Sequence, residues 1–207
     1  MKKEWRKEEK AFYLPSEQPE RIHIPAWRFL AITGEGNPNT PAFSERIEAL
    51  YSCAYAIRMM PKTGVTPEGY QEYTVYPLEG LWSLPNTTGE NDPLDKDQLL
   101  YTLMIRQPDF VTDEIAERAV HTANKKKPLP LLQEVRLSSI EEGLCVQVLH
   151  IGSFDEEPRS FEKMKQFMQE QKLSLRSREH REIYLSNFEK TAKENLKTVL
   201  RYRVKED

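Results

Sequence analysis

The residues whose types and spacing could do chemistry are concentrated in one stretch, His180-Arg181-Glu182-Ile183-Tyr184-Leu185-Ser186. It reads as a β-strand, whose two-residue period puts Arg181, Ile183 and Leu185 on one face and Glu182 with Tyr184 on the other. If the Glu182/Tyr184 face looks into a cavity, the protein holds a carboxylate in an aromatic pocket, a device for gripping cations or for acid–base work. If it faces water, this is an ordinary amphipathic strand. Desolvation in such a pocket disfavours the charged carboxylate and raises its pKa, which suits a general base working near neutral pH.

Other chemistries find less support. No serine or cysteine has partners at a recognisable triad spacing, and His150 and His180 read as packing or surface residues. Cys53 and Cys145 stand far apart, outside any CxxC or CxxxH pattern, so no metal site, redox pair or cofactor is expected and the thiols should be reduced. The 207 residues carry 30 basic and 33 acidic side chains, a net charge of −3. That balance argues against direct nucleic-acid binding. The run Lys125-Lys126-Lys127 before Pro128 fits a solvated helix C-terminus. The N-terminus is charged throughout, and no apolar run is long enough for a signal peptide or a membrane span. A cytoplasmic protein is expected, and nothing in the pattern sets an oligomeric state.

The elements that must position Glu182 follow from periodicity. Residues 1–25 mix charge with Trp5, Phe12, Tyr13 and Leu14 and read as an arm packed by its aromatics on a single domain spanning 26–207. Trp27 to Thr33 is apolar enough for a buried strand, ended by the turn Gly34 to Asn39. Thr40 as N-cap and Pro41 at the first position open a helix. Its stripe is Phe43, Ile47, Leu50, Ala54 and Ile57, with Tyr51, Tyr55 and Met59 in a row beside it. Tyr70 to Leu78 and Leu99 to Ile105 read as hairpin partners, with Glu79-Gly80-Leu81-Trp82 and a mobile loop from Pro85 to Asp97 between them. Thr112 caps a second helix bearing Ile115, Ala119 and Ala123. Glu134 to Ile140 and Gly143 to Ile151 read as a tight hairpin. A third helix runs from Pro158 to about Lys172 with Phe161, Met164, Phe167 and Met168 on one side. After the Glu182 strand come a short helix near Lys190 to Asn195 and a last strand from about Lys197 to Val204.

The chain repeats itself. Gly34 precedes Phe43 by nine residues and Gly152 precedes Phe161 by nine, an offset of 118 that also carries Leu50 onto Met168. Repeat one spans about 26–110, a connecting helix and strand about 111–142, and repeat two about 143–207. Two β-α-β-β units with their helices on one face of an antiparallel sheet make an α+β fold with a pseudo-two-fold axis and a groove at the repeat junction.

Several blocks together resemble the gyrase-inhibitor-like small-molecule-binding proteins. They are Phe29-Leu30-Ala31-Ile32-Thr33-Gly34-Glu35-Gly36-Asn37-Pro38, Glu48-Ala49-Leu50-Tyr51-Ser52, Leu78-Glu79-Gly80-Leu81-Trp82, Met104-Ile105-Arg106-Gln107-Pro108, Glu141-Glu142-Gly143-Leu144-Cys145-Val146-Gln147, His150-Ile151-Gly152-Ser153-Phe154-Asp155-Glu156-Glu157-Pro158 and the Glu182 stretch itself. They run in order through nearly the whole chain. The resemblance implies a tandem β-α-β-β fold, also seen in effector domains of multidrug-sensing transcription activators, with an aromatic-lined ligand groove around a buried glutamate. Glu182 matches that position. The chain looks like the stand-alone members that are cyclopropanoid cyclopropyl hydrolases, which detoxify DNA-alkylating natural products by adding water to a strained ring. No helix-turn-helix module fits before Trp27.

On this reading Glu182 activates or orients a water, while Tyr184 or Tyr70 donates a hydrogen bond to the oxygen where charge develops. Trp82, Tyr101 and Phe154 stack against a flat ligand, and Tyr55 and Met104 complete the ligand-binding set. Each has a plainer alternative: Trp82 beside a glycine could plug the core, and the tyrosines could serve packing alone. Two non-catalytic readings stand beside the hydrolase, a module that sequesters planar drugs or hydrophobic cations and an inhibitor of a partner protein.

Overall fold

The computed structural model describes residues 2–85 and 95–207. In chain order the elements are α1 (Trp5–Glu8), α2 (Lys10–Tyr13), β1 (Glu20–Ile24), β2 (Trp27–Glu35), α3 (Pro41–Met59), β3 (Leu78–Ser83), β4 (Leu100–Gln107), α4 (Asp113–Lys126), β5 (Arg136–Ile140), β6 (Gly143–Ile151), α5 (Pro158–Glu170), β7 (Leu173–Tyr184) and β8 (Lys197–Glu206). All the ladders of known register are antiparallel, so the fold is α+β. Most of the expected loop from Pro85 to Asp97 lies outside the described residues.

The residues group into two compact units. The first comprises Met1–Glu4, Trp27–Leu78 and Leu84–Ile140. Its strand β2 lies between β4 and β5, pairing Arg28 with Gln107 through Glu35 with Leu100 on one side and Trp27 with Ile140 through Ala31 with Arg136 on the other. Helix α3 starts at Pro41 as its sequence requires and buries Phe43, Leu50, Ala54 and Ile57, joined by Ala49 and Cys53. Thr40 does not cap through its side chain; its hydroxyl donates instead to the Asn37 carbonyl at 2.8 Å. Thr112 does cap α4, accepting from the Ile115 N–H at 3.3 Å.

One expected strand is absent from this unit. Tyr70 to Pro77 is irregular except for an isolated bridge between Tyr73 and Lys3, and the strand begins at Leu78. Pro77 has no N–H for a ladder. The aromatic side chains of the segment are held laterally, with Phe110 5.2 Å from the Tyr70 ring and Arg58 donating to the Tyr73 carbonyl at 2.5 Å.

The second unit comprises Trp5–Ala26, Glu79–Ser83 and Glu141–Asp207, so nearly all of β3 is built into it. Its strand order is β1, β6, β8, β7, β3. Residues 5–26 form more than an aromatic arm. Trp5 and Tyr13 are buried with ring centroids 5.2 Å apart, and β1 adds a strand to β6, pairing Glu20 with Gln147 through Ile24 with Gly143. The expected hairpin of Glu134–Ile140 with Gly143–Ile151 is replaced by separate pairings: β5 with β2, and β6 with β1 and β8. Alternating aliphatics mark a strand's buried face but do not name its neighbour.

Helix α5 packs Met164 and Met168 on Val146, Val148, Leu173, Leu200 and Val204, with Phe161, Phe167, Leu144 and Tyr202 around them. The helices α3 and α5 open on prolines 41 and 158, which agrees with the 118-residue offset to within one position. Strand β7 is longer than its sequence pattern announces. It starts at Leu173 and carries a register shift against β8 between Leu175 and His180, beyond which His180 to Tyr184 pair with Tyr202 to Thr198.

Candidate functional site

Strand β7 is covered on both faces where it carries Glu182, so neither set of alternating side chains faces bulk water. On one face lies a closed ionic cluster. The Arg181 guanidinium donates to Glu79 at 2.6 Å and to Glu142 at 2.9 Å, and Arg201 donates to Glu142 at 3.2 Å, to Gln147 at 2.8 Å and to the Phe12 carbonyl at 2.7 Å. All five side chains are buried. Burial pushes the Glu142 carboxyl up, but Arg181 and Arg201 outweigh it and hold it below its ordinary value. At Glu79 burial prevails over Arg181 and the pKa is raised. The cluster ties β7 to β3, β6 and β8, which fixes the residues on the opposite face.

That opposite face carries Glu182, which is 8% exposed. Tyr184 donates its hydroxyl to Oε2 of Glu182 at 2.8 Å and accepts from the Trp82 indole N–H at 2.9 Å. His180 Nε2 lies 3.0 Å from Oε1. Burial, then the charge of Glu182, keep the Tyr184 hydroxyl well above its ordinary pKa, so it remains a proton donor. Gly80 makes this line possible: a Cβ there would stand 2.6 Å from the indole nitrogen and 3.0 Å from the phenol oxygen.

Aromatic rings surround the carboxylate. Phe154 and Phe188 meet Tyr184 edge-on with centroids at 6.0 and 6.3 Å, and both are exposed. Phe161 stands 4.9 Å from the His180 ring and 5.3 Å from Tyr202. The turn bearing Phe154 is anchored by buried His150, whose Nε2 is 3.0 Å from the Ser153 carbonyl and whose Nδ1 is 2.9 Å from the Ser160 hydroxyl. The bond to a carbonyl requires a proton on Nε2, so a neutral ring accepts from Ser160 at Nδ1.

A residue with no role in the sequence reading completes the group. Glu157, at the N-cap of α5, is 7% exposed and lies near enough to Glu182 for the charge of one carboxyl to act on the other. Burial, then the charges of Glu182 and Asp155, push its pKa up to about 9. The N-cap position before a proline normally takes a small hydroxyl or amide side chain. A glutamate there was the available signal, masked by its acidic neighbours Asp155 and Glu156. His180, read from sequence as packing or surface, also touches the carboxylate, and Tyr202 beside it is raised to about 12 by burial and Glu157.

Of the residues singled out in the sequence, Glu182, Tyr184, Trp82 and Phe154 thus come together in the second unit. Tyr70, Tyr101, Tyr55 and Met104 belong to the first. Tyr70 exchanges hydrogen bonds with Arg58, donating to its carbonyl and accepting from its guanidinium, both at 3.1 Å. Tyr101 is buried edge-on against Phe43 at 5.1 Å, so close to Gly34 that a Cβ there would fall 2.4 Å from its ring. Met104 is fully buried opposite Ala31. Tyr55 is 53% exposed on α3.

The model of the GyrI-like small molecule binding domain matches residues 17–205. The chain belongs to the GyrI-like family. A crystal structure of a hydrolase from Listeria innocua is 39% identical, with a TM-score of 0.90 over 99% of this chain and 100% of that one. A second Listeria innocua hydrolase is 40% identical with a TM-score of 0.92, and an uncharacterized conserved protein of the same organism is 40% identical with a TM-score of 0.91, each with the same coverage. The C-terminal domain of EcmrR, 11% identical over 92% of this chain and 98% of that one with a TM-score of 0.55, shares the GyrI-like fold. None of the curated proteins compared with the chain matches it.

As a GyrI-like domain the chain is built to bind a small molecule. Among the described residues no helix is long and apolar enough to cross a membrane, and no three of its histidines, cysteines or acids are placed to hold a metal ion.

Proposed function

We propose that this GyrI-like protein is a hydrolase that adds water to a strained, electrophilic ring of a planar aromatic molecule, of the kind found in cyclopropane-bearing DNA-alkylating compounds. The observation that carries the proposal is the line of hydrogen bonds from Trp82 through Tyr184 to Glu182, set inside aromatic rings. The identity of 39–40% to proteins called hydrolases supports the same class.

In this mechanism Glu182 takes a proton from water as the water oxygen bonds to the cyclopropane carbon. The C–C bond of the ring breaks, and its electron pair moves into the conjugated system onto the carbonyl oxygen. Tyr184 gives its proton to that oxygen, and the proton held by Glu182 restores the phenol along the 2.8 Å bond that joins them. The cycle closes with no cofactor, and water is the sole co-reactant. General-base assistance of this type contributes roughly 10²–10⁴-fold, and the aromatic surroundings keep the reaction away from bulk water. Trp82 and Phe154 supply the flat surfaces for the ligand.

The test is direct: incubate the protein with a cyclopropane-bearing duocarmycin-type compound and follow the water-added, ring-opened product by mass spectrometry. Stoichiometric binding without product would leave a sequestering protein in place of the enzyme.

A further inference from the structure

We infer that His180 is the positioning residue of the Glu182 carboxylate: its Nε2–H holds Oε1, so that the carboxylate keeps one plane while it acts on water. The inference rests on the proposed role of Glu182 as a base and deepens it.

Simple alternation along β7 would not put His180 where it stands. Leu173 and Leu175 pair with Glu206 and Val204, and Leu173 and Val204 both pack in the core under α5. A regular antiparallel ladder would continue with Ser177 opposite Tyr202, and the odd-numbered residues of β7 would go on facing α5. Instead the four residues from Arg176 to Glu179 stand against Arg203 alone, three more than a regular ladder allows, and pairing resumes with His180 opposite Tyr202. Because three is odd, the even-numbered residues now face α5. Phe161 of that helix accordingly meets the His180 ring at 4.9 Å, and Tyr202 meets it at 6.1 Å. The insertion thus turns His180, Glu182 and Tyr184 toward α5 and Arg181 toward the ionic cluster, the kind of re-aiming that bulges perform beside functional sites. Arg203 secures it from β8, donating to Ser177 at 3.4 Å and to Glu179.

His180, Glu182 and Tyr184 are successive on this face, and the outer two bracket the middle one. Tyr184 donates to Oε2 at 2.8 Å, and His180 Nε2 stands 3.0 Å from Oε1. A carboxylate only accepts, so the His180 bond puts a proton on Nε2. The last torsion of a glutamate side chain is broad and roughly two-fold, and a single donor leaves the carboxylate plane able to swing. A donor on each oxygen fixes the plane, so the remaining lone pairs keep one direction for the water they must deprotonate. Phe161 and Tyr202 in turn hold the imidazole edge-on.

Two measurements on the full-length protein test this. In nitrogen-15 NMR of the histidine side chains without ligand, the His180 signals, assigned by their loss in His180→Gln, should show a proton on Nε2 whose signal moves in Glu182→Leu. A bare Nε2, or a signal that stays in place, would overturn the hydrogen bond. The kinetic comparison is between His180→Asn, whose amide falls short of Oε1, and His180→Gln, whose amide reaches it. With the cyclopropane-bearing compound, kcat of His180→Asn should fall roughly 10²-fold, the size of effect a misplaced catalytic group produces, and further than KM rises. His180→Gln should regain about tenfold or more of that loss. Equal kcat in the two variants, or wild-type kcat in His180→Asn, would overturn the positioning role. Absence of turnover in the wild-type protein would instead sink the hydrolase reading, and the NMR result would still decide whether His180 holds the carboxylate.

Discussion

Trp82 donates its indole N–H to the Tyr184 hydroxyl at 2.9 Å across the bare backbone of Gly80, the position where any side chain would meet both groups. The relationship joins β3 to β7 and aims the phenol at Glu182. It makes the glycine a functional residue, although its role is purely to leave space.

Gly80→Ala should therefore act on the site more than on the fold. The added methyl displaces the indole or the phenol, a clash of the overpacking type costing about 1–3 kcal/mol. Ring-opening turnover should fall at least tenfold while the protein still folds, and the tryptophan fluorescence of the folded state should change. A variant with wild-type turnover and spectrum would show that the Trp82–Tyr184 bond is incidental.

Tyr184→Phe removes the hydroxyl that accepts from the Trp82 N–H and donates to one oxygen of Glu182. Hydrogen bonds to charged groups are worth about 1.5–3 kcal/mol, so urea denaturation should show a loss in that range. On the proposed mechanism, kcat should drop further than KM changes, because the proton donor acts on the developing oxyanion.

Arg181→Met leaves Glu79 and part of Glu142 without the cation that pairs them in a fully buried cluster. Breaking a buried pair from one side costs about 3–5 kcal/mol. Chemical denaturation should report a loss of that size, and its absence would mean that water or a rearranged Arg201 reaches the cluster. Because Glu142 is held below its ordinary value, its share of stability is present above the unfolded pKa and is lost as pH falls through the lower, folded value.

Glu157 works in the opposite sense. Its folded pKa of about 9 lies above the ordinary 4.5, so the native state holds a proton that the unfolded chain releases. The stabilisation this brings is complete below 4.5 and declines as pH rises toward 9, by at most about 1.4 kcal/mol per unit. Denaturation curves collected from pH 5 to 9 should show this decline in the wild type and a flatter profile in Glu157→Gln. Parallel profiles would contradict the assignment of this proton to Glu157.

The sequence made Glu182 and Tyr184 legible because a strand's period alone puts them on one face, and both helix starts at prolines 41 and 158 were readable from local chemistry. Pairing was the illegible part. The Glu134–Ile140 and Gly143–Ile151 segments alternate as hairpin strands do, yet each pairs elsewhere, since period fixes a face and not a neighbour. Segment Glu79–Trp82 read as a connection and lies in a strand built into the second unit, which is how Trp82 reaches Tyr184. Glu157 stayed hidden because its partner lies 25 residues away across the fold, and an acidic residue at the start of a helix ordinarily faces water.

The central claim is that the Glu182 carboxylate moves a proton during ring opening. Its most direct test is the turnover of Glu182→Gln on the cyclopropane-bearing compound, measured by mass spectrometry beside a thermal melt of the same protein. The expected result is a folded variant whose ring-opening rate is lower by roughly 10²–10⁴-fold. A folded variant that opens the ring at the wild-type rate would contradict it.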